Sequence, residues 1–206
     1  MADIKKRAIS PEQKAERRQH ILAAAAEMFL LERYDAVKMA SVASAVGITK
    51  PALYRYFRSK EVLFLALFEQ QLGLLRDDFK SLEKPAELGA TLAAVFAARP
   101  LYCRLSAILH TVLERDLTYD EALAFKQQLK SQTAEISKQL ASWMETDDTE
   151  WVVNRVLQLQ HAVIGVWHMS HPVGAVKKVL ERDDMAVFRS NFEETLAQHI
   201  TTIIRT

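Results

Sequence analysis

An all-α fold is predicted for this sequence by three observations. Gly and Pro together supply only ten of 206 residues, about 5% against an average near 12%, so tight turns are few. Apolar residues recur at helical spacing along most of the chain, with no strand-like alternation, internal repeat or low-complexity tract. Two capping boxes, Ser10-Pro11-Glu12-Gln13 and Thr118-Tyr119-Asp120-Glu121, mark helix starts in which a side-chain oxygen and the N3 side chain satisfy each other's backbone N–H groups.

About nine helices are expected. The first follows Ser10, accepts Pro11 at its first position, and carries Ile21, Leu22, Ala25, Phe29 and Leu30 to about Glu32. A short helix at 39–46 holds Met39, Val42, Ala43 and Val46 on one side and stops at Gly47. Another runs over 49–56, tolerating Pro51 in its first turn. Ser59 caps a fourth, which continues to about Phe79. Pro85 and Pro100 stand near the starts of helices at 85–98 and 100–114. Thr118 opens a long helix with Ala122, Phe125, Leu129, Ile136, Leu140 and Trp143 on one face. Asp147-Asp148-Thr149-Glu150 starts a helix that Pro172 stops. The last is expected after Asp183-Asp184, with Phe188, Phe192, Leu196, Ile200 and Ile203 as its stripe.

The net charge of +1 conceals a division. Residues 1–60 hold twelve Lys/Arg against six Asp/Glu, whereas 61–206 hold fifteen against twenty. A basic first segment beside an acidic remainder points to a polyanionic partner for the former. A single Cys excludes a disulfide framework or a Cys-rich metal site within one chain. No run of about 18 apolar residues occurs, and the start MADIKKRAIS lacks a signal peptide's apolar core, so a cytoplasmic address with no membrane association is expected.

Within the basic segment, the helices at 39–46 and 49–56 joined by Val46-Gly47-Ile48 form a helix-turn-helix pattern. Gly47 permits the turn, and Ala43, Val46, Ile48 and Leu53 pack the pair together. The second helix then exposes Thr49, Lys50, Ala52, Arg55 and Tyr56, chemistry suited to a DNA major groove.

Residues 21–65, and most closely Val46-Gly47-Ile48-Thr49-Lys50-Pro51-Ala52-Leu53-Tyr54-Arg55-Tyr56-Phe57 followed by Ser59-Lys60-Glu61-Val62-Leu63, resemble the N-terminal domain of the tetracycline-repressor (TetR) family of transcriptional regulators. The resemblance implies a three-helix helix-turn-helix DNA-binding domain over 1–60 and a larger helical ligand-binding and dimerisation domain over 61–206. It implies that Thr49, Lys50, Pro51 and Ala52 lie at the major-groove floor, and that Tyr54, Tyr56 and Lys60 contact phosphates. Leu53 and Phe57 are expected in the core. The sequence departs from the family's pattern at three points. Arg33 replaces the usual Gly before Tyr34. Lys38 stands where Ser or Thr commonly caps the second helix, leaving it a phosphate contact but not a cap. Ala40 occupies a position where Arg often reads a base. The tail with Lys5, Lys6 and Arg7 reads as a flexible basic arm over 1–9, with minor-groove entry as its alternative.

The resemblance further implies a homodimer through the last two helices, about 150–171 and 184–204, placing two recognition helices on a palindromic operator of double-stranded DNA. Gly165 either allows close approach at that helix crossing or is merely tolerated. A pocket for a small-molecule effector is implied among the fourth to eighth helices, with Phe96, Tyr102, His110 and Phe125 as candidate lining residues. Trp143, His161, Trp167 and His168 complete that set. Aromatic walls with few polar anchors suit a mainly apolar ligand. Two other features are weighed and set aside. His168 and His171 share a helix face without a third metal ligand, and Cys103 reads as a plain helix cysteine rather than a redox sensor. No nucleophile, phosphate-cradling or HExxH motif is present, so neither enzymatic activity nor a cofactor is expected. The expected function is a DNA-binding repressor released by a small ligand. Its alternatives are a DNA-binding regulator under protein-partner or no control and, distantly, an all-α enzyme.

Overall fold

A computed structural model describes residues 10–205. Ten α-helices form among them, against about nine expected, and no strand does. Contacts group the chain into two units, one ending at Leu67 and the other starting at Phe68.

In the first unit, α1 (Pro11–Leu31) begins on the expected capping box: Gln13 N–H donates to Ser10 Oγ at 3.3 Å, and Ser10 N–H to Gln13 Oε1 at 3.1 Å. Helices α2 (Met39–Ala45) and α3 (Lys50–Tyr54) follow, and α4 (Lys60–Ser81) starts behind Ser59, whose Oγ accepts from Val62 N–H. Apolar residues three and four apart converge here: Ile21, Leu22, Ala25 and Phe29 of α1 are buried, as are Val42 and Ala43 of α2 and Leu53 of α3. Phe64 of α4 is fully buried, meeting the rings of Phe29 and Tyr34 edge-on at 5.1 and 5.0 Å. The turn between α2 and α3 requires its glycine, because Gly47 has φ of +66°, a left-handed conformation that a Cβ penalises.

The second unit comprises the rest of α4, α5 (Leu88–Ala97), α6 (Pro100–Ile108), α7 (Tyr119–Met144), α8 (Thr149–Ser170), α9 (Gly174–Leu180) and α10 (Phe192–Arg205). Thr118 and Glu121 form the second expected capping box, and Asp148 Oδ1 caps α8 by accepting from Trp151 N–H at 2.9 Å. Helix α8 packs on α6, α7 and α10, while α10 also packs along α5.

Three elements differ from expectation, the first being α9, which falls between the helix expected to end at Pro172 and the last expected helix. The helix expected at 100–114 stays α-helical only to Ile108 and widens into a π-helical turn at Leu109–Leu113, which buries Leu109 and Leu113. The helix expected from about 184 is a 3-10 turn at Asp183–Phe188 followed by α10. Asn191 causes that break: its Oδ1 accepts from Glu194 N–H at 3.1 Å, an N-cap that sets the α-helix start at Phe192. Phe188 therefore leaves the apolar stripe and is 60% exposed, whereas Leu196 and Ile200 are buried.

The α5–α10 contact depends on Gly89. A Cβ at this position falls 2.1 Å from Thr201 Oγ1 and 3.0 Å from the Ala197 carbonyl oxygen, so the backbones approach more closely than any side chain permits. Gly89→Ala is expected to destabilise the protein by about 1–3 kcal/mol through overpacking, with partial recovery in Gly89→Ala/Thr201→Ala, where the hydroxyl is gone. Thermal unfolding tests this, and an unchanged midpoint in the single variant contradicts the contact.

Candidate nucleic-acid interface and effector cavity

Helix α3 is built so that one side is anchored and the other open. Leu53 is fully buried and Phe57, just beyond the helix, nearly so, which fixes the helix on the first unit's core. Lys50, Pro51, Tyr54 and Arg55 are exposed; Ala52 and Tyr56 are half-buried. Thr49 is exposed, but its Oγ1 accepts from Ala52 N–H at 3.3 Å, making it the N-cap of α3. Its hydroxyl is then engaged with the backbone and offers a partner its O–H. Lys50 Nζ lies 5.8 Å from the Tyr54 ring centroid, a cation–π arrangement that holds both side chains over the same face.

The turn that aims α3 is tied to α1, where Arg17 Nη1 donates to the Val46 carbonyl at 3.2 Å. Lys38 flanks α2 in an extended conformation, exposed and without a capping side-chain bond. Lys60 sits differently from its neighbours in the predicted set. It is half-buried, its ammonium donates to the Tyr34 carbonyl, and it lies 3.9 Å from that ring's centroid. Burial lowers its pKa, opposed by Asp35 and Glu61. Tyr34 in turn donates its hydroxyl to Glu61 Oε1 at 2.9 Å. Lys60 thus holds the turn after α1, and an ammonium with three N–H donors keeps capacity for a further acceptor. Lys5, Lys6 and Arg7 lie outside the described residues.

The second unit carries a partly open cavity of about 250 Å³ between α4, α5, α6, the π turn, α7 and α8. Phe96, Tyr102, His110 and His161 line it, four of the eight candidates. The other four are placed elsewhere. Phe125 is buried edge-on against Phe68, and Trp143 stacks on Phe79 at 6.0 Å, so both pack behind the wall. Trp167 stacks on His171 with centroids 3.7 Å apart and meets Phe192, while His168 Nε2 lies 3.1 Å from the Ala107 carbonyl. These contacts also separate His168 and His171 into different surroundings. The sequence reading missed the floor, made by Phe68, Leu72, Leu75 and Phe79 of α4, and the polar residues Lys126, Thr133 and Gln160. The α4 set was visible as a run at three- and four-residue spacing.

Tyr102 donates to Gln160 Oε1 at 2.5 Å inside this wall, and burial raises its phenol's pKa. Cys103 is buried beside it, its Sγ donating to the Phe96 carbonyl, and burial pushes the thiol up to about 12. A thiol so shielded is poor in thiolate and unsuited to redox sensing. No single helix among the described residues is long and apolar enough to cross a membrane.

A short, exposed, basic helix set on a three-helix core by a glycine turn, followed by a helical unit with an apolar cavity, defines a DNA-binding regulator of the helix-turn-helix class. Residues 21–67 match the family model described as bacterial regulatory proteins, tetR family, and residues 65–205 that described as Tetracyclin repressor-like, C-terminal domain. The chain belongs to the TetR family of transcriptional regulators. Among curated proteins it is 31% identical over 140 residues to the nucleoid occlusion factor SlmA of Shewanella putrefaciens, covering 65% of this chain and 67% of that protein. It is 36% identical over 99 residues to SlmA of Shewanella baltica, covering 45% and 49%. Among solved structures, a tetR-family transcriptional regulator from Streptomyces coelicolor matches with a TM-score of 0.60 at 18% identity, over 90% of this chain and 80% of that one. Thermus thermophilus FadR, a TetR-family transcriptional repressor in complex with lauroyl-CoA, matches with a TM-score of 0.60 at 18% identity, over 91% of each chain.

Proposed function

We propose that this protein is a cytoplasmic, homodimeric transcriptional repressor that leaves a palindromic operator when a small, mainly apolar ligand enters the cavity of its second unit. The observation that carries the DNA-reading half is the exposed face of α3, where Lys50, Pro51, Tyr54 and Arg55 stand over buried Leu53. Lys50 is assigned to guanine acceptors and Pro51 and Ala52 to thymine methyls. Thr49 stays at the groove floor as cap and donor. Lys38, Tyr54, Arg55, Tyr56 and Lys60 are assigned to phosphates.

Dimerisation is assigned to α8 and α10. Leu157, His161, Gly165 and His168 recur along one exposed face of α8, the first two also bordering the cavity, and nothing lies within 4 Å of a Cβ at Gly165. A second copy has room to approach there. Ligand and operator are coupled sites, so a ligand that weakens operator binding must itself bind the operator complex more weakly by the same factor, with about 1–3 kcal/mol giving roughly 5–150-fold release. The 250 Å³ cavity supports the ligand-responsive reading, as does the lauroyl-CoA bound by a protein of this fold.

Control by a protein partner is a second reading, favoured by Val187 and Phe188, which are 82% and 60% exposed after α9, and by relatives that are nucleoid occlusion factors.

Oligonucleotide selection with the purified protein tests the main reading by yielding a palindromic site. Lys50→Ala is then expected to lose about 1–3 kcal/mol of discrimination at one symmetric base-pair position. Uniform weakening on all sequences removes Lys50 from base reading, and no enriched palindrome overturns the proposed function.

A further inference from the structure

One end of the cavity carries a charge arrangement that its apolar walls do not require. Lys126 and His110 both line the cavity, and among the described residues no carboxylate does. Both are held by Glu114, just outside the lining: Lys126 Nζ donates to Glu114 Oε1 at 2.7 Å, and His110 Nδ1 lies 3.1 Å from Oε2. The carboxylate is the least exposed of the three, at 22% of its side chain against 51% and 55% for Lys126 and His110. Burial alone would raise its pKa, but the hydrogen bonds from Lys126 and His110 outweigh that and hold it below the usual carboxylate range. His110 comes from the π-helical turn Leu109–Leu113, a kind of irregularity frequent at functional sites. Elsewhere in the wall, Tyr102 and Gln160 are matched to each other by a hydrogen bond.

We propose that the cavity takes a carboxylic acid with an apolar body, whose carboxylate replaces that of Glu114 at Lys126 and His110. This rests on the reading of the cavity as an effector site and adds the ligand's chemical class. An amine head meets Lys126 as a like charge. A hydroxyl head leaves the Glu114 ion pair intact and gains little from it. A carboxylate reproduces the geometry of Glu114 and frees that side chain to turn to solvent. Because one ion pair exchanges for another, the head contributes selectivity and the body contributes affinity, about fourfold per methylene buried. A cavity of about 250 Å³ exceeds the roughly 150 Å³ that admits benzene and suits a body on the order of eight carbons. Straight alkanoic and arylalkanoic acids share this chemistry.

Titration of the full-length protein by calorimetry with octanoate, 4-phenylbutyrate and 1-octanol tests the proposal. Octanoate or 4-phenylbutyrate is expected to bind at least tenfold more tightly than 1-octanol, and which acid is tighter identifies the body as aliphatic or aromatic. Lys126→Met and Lys126→Gln are expected to abolish that margin while retaining 1-octanol binding, which also shows that they fold. Glu114→Gln, lacking the internal competitor, is expected to bind the acids several-fold more tightly with 1-octanol unchanged. Equal binding of octanol and the acids, or acid binding weakened by Glu114→Gln, overturns the carboxylate exchange and leaves the effector cavity standing. Absence of binding by all three probes overturns both.

Discussion

Operator affinity is expected to fall by roughly a thousandfold or more when salt rises from 50 to 200 mM. The first 60 residues carry twelve Lys/Arg against six Asp/Glu, and three of these cations are assigned to phosphates. Lys38 and Arg55 are exposed, and Lys60 retains donors beyond the Tyr34 carbonyl. Three or more phosphate contacts per protomer, as proposed, would become six or more in the proposed dimer. Each contact neutralised by Lys or Arg releases condensed counterions, and about six to ten of them correspond to losses of roughly 10³–10⁵ over that salt range. Fluorescence anisotropy with a labelled operator measures the slope of log affinity against log salt. A slope shallower than about −2 contradicts both the phosphate assignments and the doubling of contacts by a second copy. The Lys50→Ala variant is expected to keep most of this slope, because a base contact releases few counterions.

Phe64→Ala is expected to destabilise the first unit by about 3–5 kcal/mol and with it to eliminate DNA binding. Phe64 is fully buried, and its ring takes the edges of Phe29 from α1 and Tyr34 from the following turn. Truncation leaves a cavity and removes two aromatic pairs, each adding about 0.5–1.5 kcal/mol beyond area burial. Tyr34 also loses its packing surface beside the Lys60 and Glu61 hydrogen bonds. Phe64→Leu keeps most of the volume and is expected to lose much less. Thermal melts followed by circular dichroism, with anisotropy on the same samples, decide the matter. Operator binding at wild-type affinity by Phe64→Ala sinks the view that this cluster supports the reading helix.

What could be read from the chain before its structure was what depends on neighbours in sequence. Ser10 and Thr118 cap their helices as their boxes require, because each box satisfies backbone donors within four residues. Gly47 marks the turn because its backbone conformation excludes most side chains. The misses depend on tertiary context. The widening at Leu109–Leu113 has no compositional signature and is retained through burial of its two leucines. Asn191 carried a usable cap signal, but Asp183-Asp184 offered a stronger one that led only into a 3-10 turn. Phe125 and Trp143 were aromatic enough to face a ligand, yet each is taken up by another ring behind the wall. Lys126 carries no such signal, because a lysine on a long helix ordinarily points to water. Its partner Glu114 lies twelve positions away on another element, beyond the reach of periodicity.

Helix α3 is five residues long, well below the roughly 12–15 residues at which an isolated helix is even marginally formed in water. It therefore has no folded existence apart from the seat that Leu53 occupies. Warming that loosens α1 and α2 is therefore expected to dissolve the exposed face of α3 along with them. If that face reads DNA as proposed, binding has an upper temperature limit set by a small core rather than by any contact with DNA.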